Sequence, residues 1–145
     1  MEEISEFMKT DHGELDDVFE SFRMAREKES RGAKALLAQL RKGLSKHISM
    51  EEEVLFPLVG EKKVGRNYVS VADLNDQHKR IKELLAQIDK DFSGGRTTDD
   101  SEAELEQILV AHDIIEERTI YPWIERHVKG TEKKKAMQRI SEMSD

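Results

Sequence analysis

The chain has 145 residues, a net charge of −7 and no cysteine. That length fits one domain able to bury a core without staples, and the missing cysteines exclude disulfides, thiolate metal sites and cysteine nucleophiles. The acidic balance argues against generic binding to nucleic acid or an anionic membrane.

The first predicted helix runs from about Glu2 to Lys28. Its apolar stripe is Ile4, Met8, Leu15, Phe19 and Phe22, and His12 falls on the same face between Met8 and Leu15. Gly32 separates it from a second helix, about Ala33 to Val59, with Leu37, Leu40, Leu44, Ile48 and Leu55 inward, so the two should form an antiparallel hairpin. A looser link, Gly60 to Val69, follows. The third helix starts near Ser70, which has capping-box spacing to Asp73, and its stripe Val71, Leu74, Ile81, Leu85, Ile88, Phe92 takes in His78.

The stretch from Ser93 to Thr98 reads as a turn. A fourth helix is expected to open on a capping box, Ser101 with Glu104, and to carry Leu105, Ile108, Leu109, Ile115 and Trp123 inward. A short C-terminal helix, about 132–143, shows Ala136, Met137 and Ile140 on one side, and Lys133, Lys134 and Lys135 read as a solvated face. Four amphipathic helices with short connections predict an all-α, up-down-up-down four-helix bundle over about 2–127, within a single domain spanning 1–145. No stretch approaches the roughly 20 apolar residues of a membrane helix. No signal peptide is visible at the start, and the lack of cysteine agrees with a cytoplasmic setting.

Four histidines lie on these apolar stripes: His12, His47, His78 and His112. Glu51 follows His47 by four residues and Glu116 follows His112 by four. Positions i and i+4 of a helix share a face, about 6 Å apart along the axis, so each pair points an imidazole and a carboxylate inward at neighbouring levels. The arrangement occurs twice without gaps: HISMEEEVLFP over 47–57 aligns with HDIIEERTIYP over 112–122. Each hairpin thus supplies a lone His, then an HxxxE, in a pseudo-two-fold pattern.

A single histidine on an apolar stripe is more often a hydrogen-bonded core residue than a ligand, and one HxxxE is a weak signal. Six such residues in a matched pattern are different. Buried unpaired carboxylates cost several kcal/mol each, comparable in sum to a typical net stability of roughly 5–15 kcal/mol. No Lys or Arg shares the stripes to neutralise them, and a bound cation is the simplest remedy. Imidazole and carboxylate donors suit iron, zinc or manganese. We expect one ion on His12 and His47 and another on His78 and His112, with Glu51 and Glu116 bridging and an oxo, hydroxo or water ligand completing the shell. Open positions are left for a small ligand such as dioxygen. The ferritin-like alternative needs Glu three residues before His, which occurs at none of these histidines.

Lone His, HxxxE, lone His, HxxxE, with HISMEEEVLFP and HDIIEERTIYP as the two motif stretches, resembles the hemerythrin-like, or HHE cation-binding, family over about Glu2 to His127. The resemblance implies a non-haem di-iron centre (Fe2+/Fe3+) in a four-helix bundle, with His12, His47, Glu51, His78, His112 and Glu116 as its ligands. Oxygen-carrying hemerythrin has a second His on the third helix, in an HxxxH. Here the positions four before and after His78 are Leu74 and Lys82, and the last motif is HxxxE rather than HxxxxD. Members of the broader family resemble sensors of oxygen or iron and handlers of iron, nitric oxide or peroxide. Three classes of function stand open: a di-iron protein engaging dioxygen or a related oxidant for sensing, storage or detoxification; a peroxidase- or oxidase-like di-iron enzyme; and a metal-stabilised interaction domain.

The remaining site-adjacent residues are assigned milder roles. His127 is expected as a surface or cap residue, and Glu52, Glu53 and Glu117 outward or supporting the ligands, with a third carboxylate ligand left open. Phe56-Pro57 and Tyr121-Pro122 are expected to bend or end their helices. Met8, Leu44, Ile81, Leu109 and Ile115 are expected to form a dry wall around the metals.

Overall fold

The structure is a computed structural model, described over residues 3–144. It is an all-α bundle. Helix α1 is Glu3–Glu27; the expected start at Glu2 lies outside the described residues. Helix α2 begins as Ala33–Met50, passes through a π-helical turn Glu51–Leu55 and ends in a last α-turn Phe56–Val59. Helix α3 is Val71–Ser93. Helix α4 begins as Asp99–Ile115, passes through a π-helical turn Glu116–Ile120 and ends as Tyr121–His127; a short α5, Gly130–Ser144, follows. Among the described residues there is no strand, only an isolated bridge between Val64 and Val69, and no helix is long and apolar enough to cross a membrane.

The two hairpins, α1–α2 and α3–α4, pack into one ring. The left-handed residue in the first turn is Glu29, at φ 52°, not Gly32, which takes an ordinary φ of −72°. Glycine matters instead at Gly43, where a Cβ would come within 2.5 Å of Leu15 Cδ2, so its absence lets α1 and α2 approach closely.

Ser70 caps α3 as expected, its hydroxyl accepting from the Asp73 amide at 3.2 Å. The Ser101–Glu104 capping box is not formed. Helix α4 starts at Asp99 with Thr98 in the N-cap position, three residues before the expected cap Ser101. The reason is Glu102, which the periodicity did not single out. It is completely buried, accepts from the Thr98 hydroxyl, and lies 3.2 Å from Arg23 Nε and 2.6 Å from Arg26 Nε, both on α1. This ion-pair cluster pins the first turn of α4 to the end of α1.

Both π-turns begin at the glutamate of an HxxxE and end just before an aromatic–proline pair. Proline has no N–H and its ring collides with the carbonyl four residues back. A π-turn widens the helix there, with Phe56 N–H donating to Glu51 O and Tyr121 N–H to Glu116 O. The prolines therefore neither end nor break their helices. The inserted residue advances the register, so Ile120, Tyr121 and Ile124 are buried in the second part of α4 while Trp123, expected inward, is half-buried. The carbonyl of Glu53, four before Pro57, receives Arg139 Nη1 of α5 at 3.5 Å. Ala136 and Ile140 of α5 close the same end of the core.

The core is divided. One cluster, at the α5 end, includes Met8, Leu55, Phe56, Leu74, Tyr121 and Ile124. The other, toward the hairpin turns, includes Leu15, Leu44, Ile48, Ile81 and Leu109. The inward histidines and glutamates form the polar layer between them.

Candidate metal centre

All six predicted site residues converge on this layer and all are buried, Glu51 and Glu116 completely. Their donor atoms form two overlapping groups, each with every atom within 4.8 Å of the others: His12, His47, Glu51 and Glu116; and His78, His112, Glu51 and Glu116. The two glutamates belong to both groups.

The outer nitrogen of every ring is already engaged. His12 Nδ1 faces Glu117 Oε2 at 2.8 Å, His47 Nδ1 faces Asp11 Oδ2 at 2.7 Å, His78 Nδ1 faces Glu52 Oε2 at 2.7 Å and His112 Nδ1 faces Gln77 Oε1 at 2.6 Å. Each partner is an acceptor, so each Nδ1 donates, and the Nε2 atoms turn inward with their lone pairs free. There they meet further lone pairs. His78 Nε2 is 3.0 Å from Glu51 Oε1 and 3.1 Å from His112 Nε2; His112 Nε2 is 3.0 Å from Glu116 Oε2; His12 Nε2 is 3.3 Å from Glu116 Oε1. His47 Nε2 and Glu116 Oε2 are buried without a hydrogen-bond partner, the contact of Glu116 Oε2 with His112 being close but unbonded. Lone pairs facing one another in a dry interior are stabilised by a cation between them. The donor set of imidazoles and carboxylates therefore fits transition-metal ions.

The titratable groups show the same strain. Burial, aided by the charge of His47, lowers His12 to about 4, and burial lowers His112. Burial also acts to depress His47, but the carboxylates of Glu51 and Asp11 outweigh it and hold that ring above its ordinary value. Burial and the Glu51 charge push Glu116 well up. Glu51 goes the other way: burial opposes its charge, but its hydrogen bonds with Glu116 and the imidazoles hold it well below the usual carboxylate range. Asp113, 3.3 Å from His12 Nε2, is pushed up to about 8 by burial and by the neighbouring Asp16.

Four residues near the ligands were given no part in the site by the sequence, Tyr121 having been expected only to bend or end its helix. Asp11 and Gln77 each directly precede a site histidine and hold the ring of the following helix. Asp113 lies on the cavity side. Tyr121 reaches the centre with its hydroxyl, donating to Glu51 Oε2 at 2.8 Å and lying 3.2 Å from both Glu116 Oε1 and His12 Nε2. The milder roles of Glu52 and Glu117 are now specific, since each braces an imidazole, while Glu53 is exposed. His127 is exposed, stacked on Trp123.

The hydroxyl of Tyr121 is the readiest to test. Tyr121→Phe leaves the ring's shape and removes one donor from a buried carboxylate. In metal-free protein this should cost about 1–2 kcal/mol in urea unfolding. An unchanged midpoint would mean that the hydroxyl contributes nothing to holding Glu51.

Beside the ring nitrogens is a cavity of about the size of one water molecule. Its apolar wall is Leu15, Leu44, Ile48, Ile81 and Leu109. Met8 and Ile115, expected in this wall, pack instead into the cluster on the Tyr121 side. They lie on the other side of the polar layer, so they shield the site from the opposite end.

A family model described as the hemerythrin HHE cation binding domain matches residues 3–124, and a second, overlapping match covers 69–144, from the start of the second hairpin. No curated protein and no solved structure matches the chain.

Proposed function

The chain belongs to the hemerythrin HHE cation-binding domain family, and we propose that it holds two iron ions and engages dioxygen or a related small oxidant, for sensing, storage or detoxification. The observation that carries this reading is the pair of donor groups sharing Glu51 and Glu116. In it, His12 and His47 would hold one ion and His78 and His112 the other, with Glu51 and Glu116 within reach of both. Two irons, when bound, supply the electrons that a small oxidant takes up.

The protein's own residues do the rest. Asp11, Glu52, Gln77 and Glu117 fix each imidazole with Nε2 inward. Leu15, Leu44, Ile48, Ile81 and Leu109 keep water from the cavity and limit entry to molecules of a few atoms. A second reading, turnover of peroxide, is favoured by Asp113, a carboxyl group that lines the cavity 3.3 Å from His12 Nε2, where it can take up and return a proton.

Protein loaded with iron without oxygen should contain about two irons per chain, a stoichiometry suited to this donor set. It should gain visible absorption on exposure to air. One ion or none at full loading rejects the dinuclear reading, and two zinc ions with no iron uptake leave the geometry but remove the redox role. Sustained consumption of added peroxide would favour the enzymatic reading over reversible binding.

A further inference from the structure

Around the site the two hairpins correspond helix for helix, α1 with α3 and α2 with α4, and so do the contacts that brace the ligands. Glu52, next to Glu51, holds His78, and Glu117, next to Glu116, holds His12. Asp11, just before His12, holds His47; Gln77, just before His78, holds His112. This last correspondence breaks the symmetry, because a carboxylate stands opposite a neutral amide.

The other breaks fall on the same side. Aligned positions pair Asp113 with Ile48, Asp16 with Lys82 and Tyr121 with Phe56. Asp113 Oδ1 and the Tyr121 hydroxyl are 3.3 and 3.2 Å from His12 Nε2, and Asp16 lines the cavity. Their counterparts bring no such groups to the other pair. Ile48 is part of the apolar wall, Lys82 is exposed, and Phe56 stacks flat on His78 with ring centroids 5.4 Å apart.

We propose that the two cation positions are unequal: the His12–His47 position fills first and holds its cation more tightly, and Asp11 is the positioning residue that sets this order. A carboxylate accepting from Nδ1–H makes the imidazole a stronger donor than an amide does, and such bracing partners typically change metal affinity by about 10–100-fold. Negative charge near the cation acts in the same direction. The inference rests on the two-ion reading, and it implies a one-ion form at limiting metal with His78 and His112 still open.

Calorimetric titration of the metal-free full chain with Zn2+, a redox-inert probe, tests it. The unaltered protein should show two steps at least about 10-fold apart in affinity. His112→Ala should keep the tighter step, and His47→Ala only the weaker. Asp11→Asn should weaken the tighter step by about 10-fold. Gln77→Glu should strengthen the weaker one, and the double variant should close the gap. Both replacements are isosteric, Asp11 and Gln77 are each only partly buried, and circular dichroism checks that the fold persists. Two equal steps with two ions bound overturn this inference and leave the two-ion reading standing. Uptake of one ion in total overturns both. A tighter step that survives His47→Ala, or a gap unchanged in the double variant, rejects Asp11 as its source.

Discussion

Glu51→Ala is expected to empty both cation positions, whereas His12→Ala should empty mainly one. Glu51 is completely buried and its Oε1 lies 3.0 Å from His78 Nε2 and 3.7 Å from both His47 and His112 Nε2. Among the described residues it is thus the one carboxylate that reaches rings of both pairs through a single oxygen, and it belongs to both donor groups. Removing it takes a donor from each position and the negative charge that offsets both cations. Loss of an imidazole leaves the opposite position with its own two rings and both glutamates. Elemental analysis after iron loading and desalting should find close to no ion in Glu51→Ala and about one in His12→Ala. His127→Ala serves as the control, since that ring is exposed and bonded only to the Trp123 carbonyl, 3.1 Å away. Full retention of one ion by Glu51→Ala would rule out a shared role for this carboxylate. Equal loss in His127→Ala would show that the ligand set is misassigned.

The second large effect is an opposite response of metal-free and metal-loaded protein to pH. Without metal, the protein should lose stability as pH rises from 6.5 to 8. Asp113, raised from 3.8 to about 8, stabilises the fold fully below 3.8 and loses that contribution up to about 8. Over this window alone it costs about 2 kcal/mol. Glu116, raised by burial and by Glu51, loses its contribution above 4.5 in the same direction. His47 is raised by Glu51 and Asp11 against the effect of burial, and its contribution is present below 6.5 and lost above it. Below pH 6.5 the slope should flatten. His12, lowered to about 4, and His112, also lowered, contribute stability that is present above 6.5 and lost as pH falls, which opposes Glu116 and Asp113.

The loaded protein should behave differently above pH 6.5. Metal binding requires His47 and Glu116 to give up their protons, so it tightens as pH rises. Binding to the native state alone adds about 2.7 kcal/mol for an ion at a hundred times its dissociation constant. The donors come from all four long helices, so that stabilisation ties both hairpins together. Urea unfolding of both forms at pH 6.5 and 8 should show the gap widening with pH, with the metal-free form still helical by circular dichroism. Identical midpoints at both values would restore the reading of these residues as ordinary core histidines. A metal-free protein that is more stable at pH 8 than at 6.5 would contradict the retention of protons by Asp113 and Glu116 in the folded state.

Most of the architecture was legible in the sequence because helical periodicity is a local property. Apolar residues at i, i+3 and i+4 marked four helices and their inward faces, and polar residues standing on those faces marked the candidate site. An imidazole or carboxylate on an apolar stripe stands out whatever the rest of the fold, and the duplicate HxxxE spacing placed two donors of each hairpin on one face. The start of α4 was misread because Ser101 and Glu104 satisfy the local capping rule equally well. Glu102 prevails through ion pairs to Arg23 and Arg26, which lie far away along the chain. The π-turns did carry a local signal, the aromatic–proline pair that follows each site glutamate within the next two turns of helix. Its effect on register, exchanging Trp123 for Ile124 in the core, follows from widening the helix rather than stopping it.

The sequence alone determined the helices, their inward faces and the six candidate donors, since each depends on spacing within one helix. Tertiary structure decided which donors meet and what braces them. Asp11 and Gln77 are one residue from a site histidine, hence about 100° around the helix from it, a position that reads as surface. Each instead meets a ring on the neighbouring helix, at 2.7 and 2.6 Å. The same holds for Glu52 and Glu117, and for Tyr121, which the π-turn rotates inward against Glu51. Helix packing sets these contacts, because a side chain pointing sideways from one helix becomes interior only when another helix lies beside it.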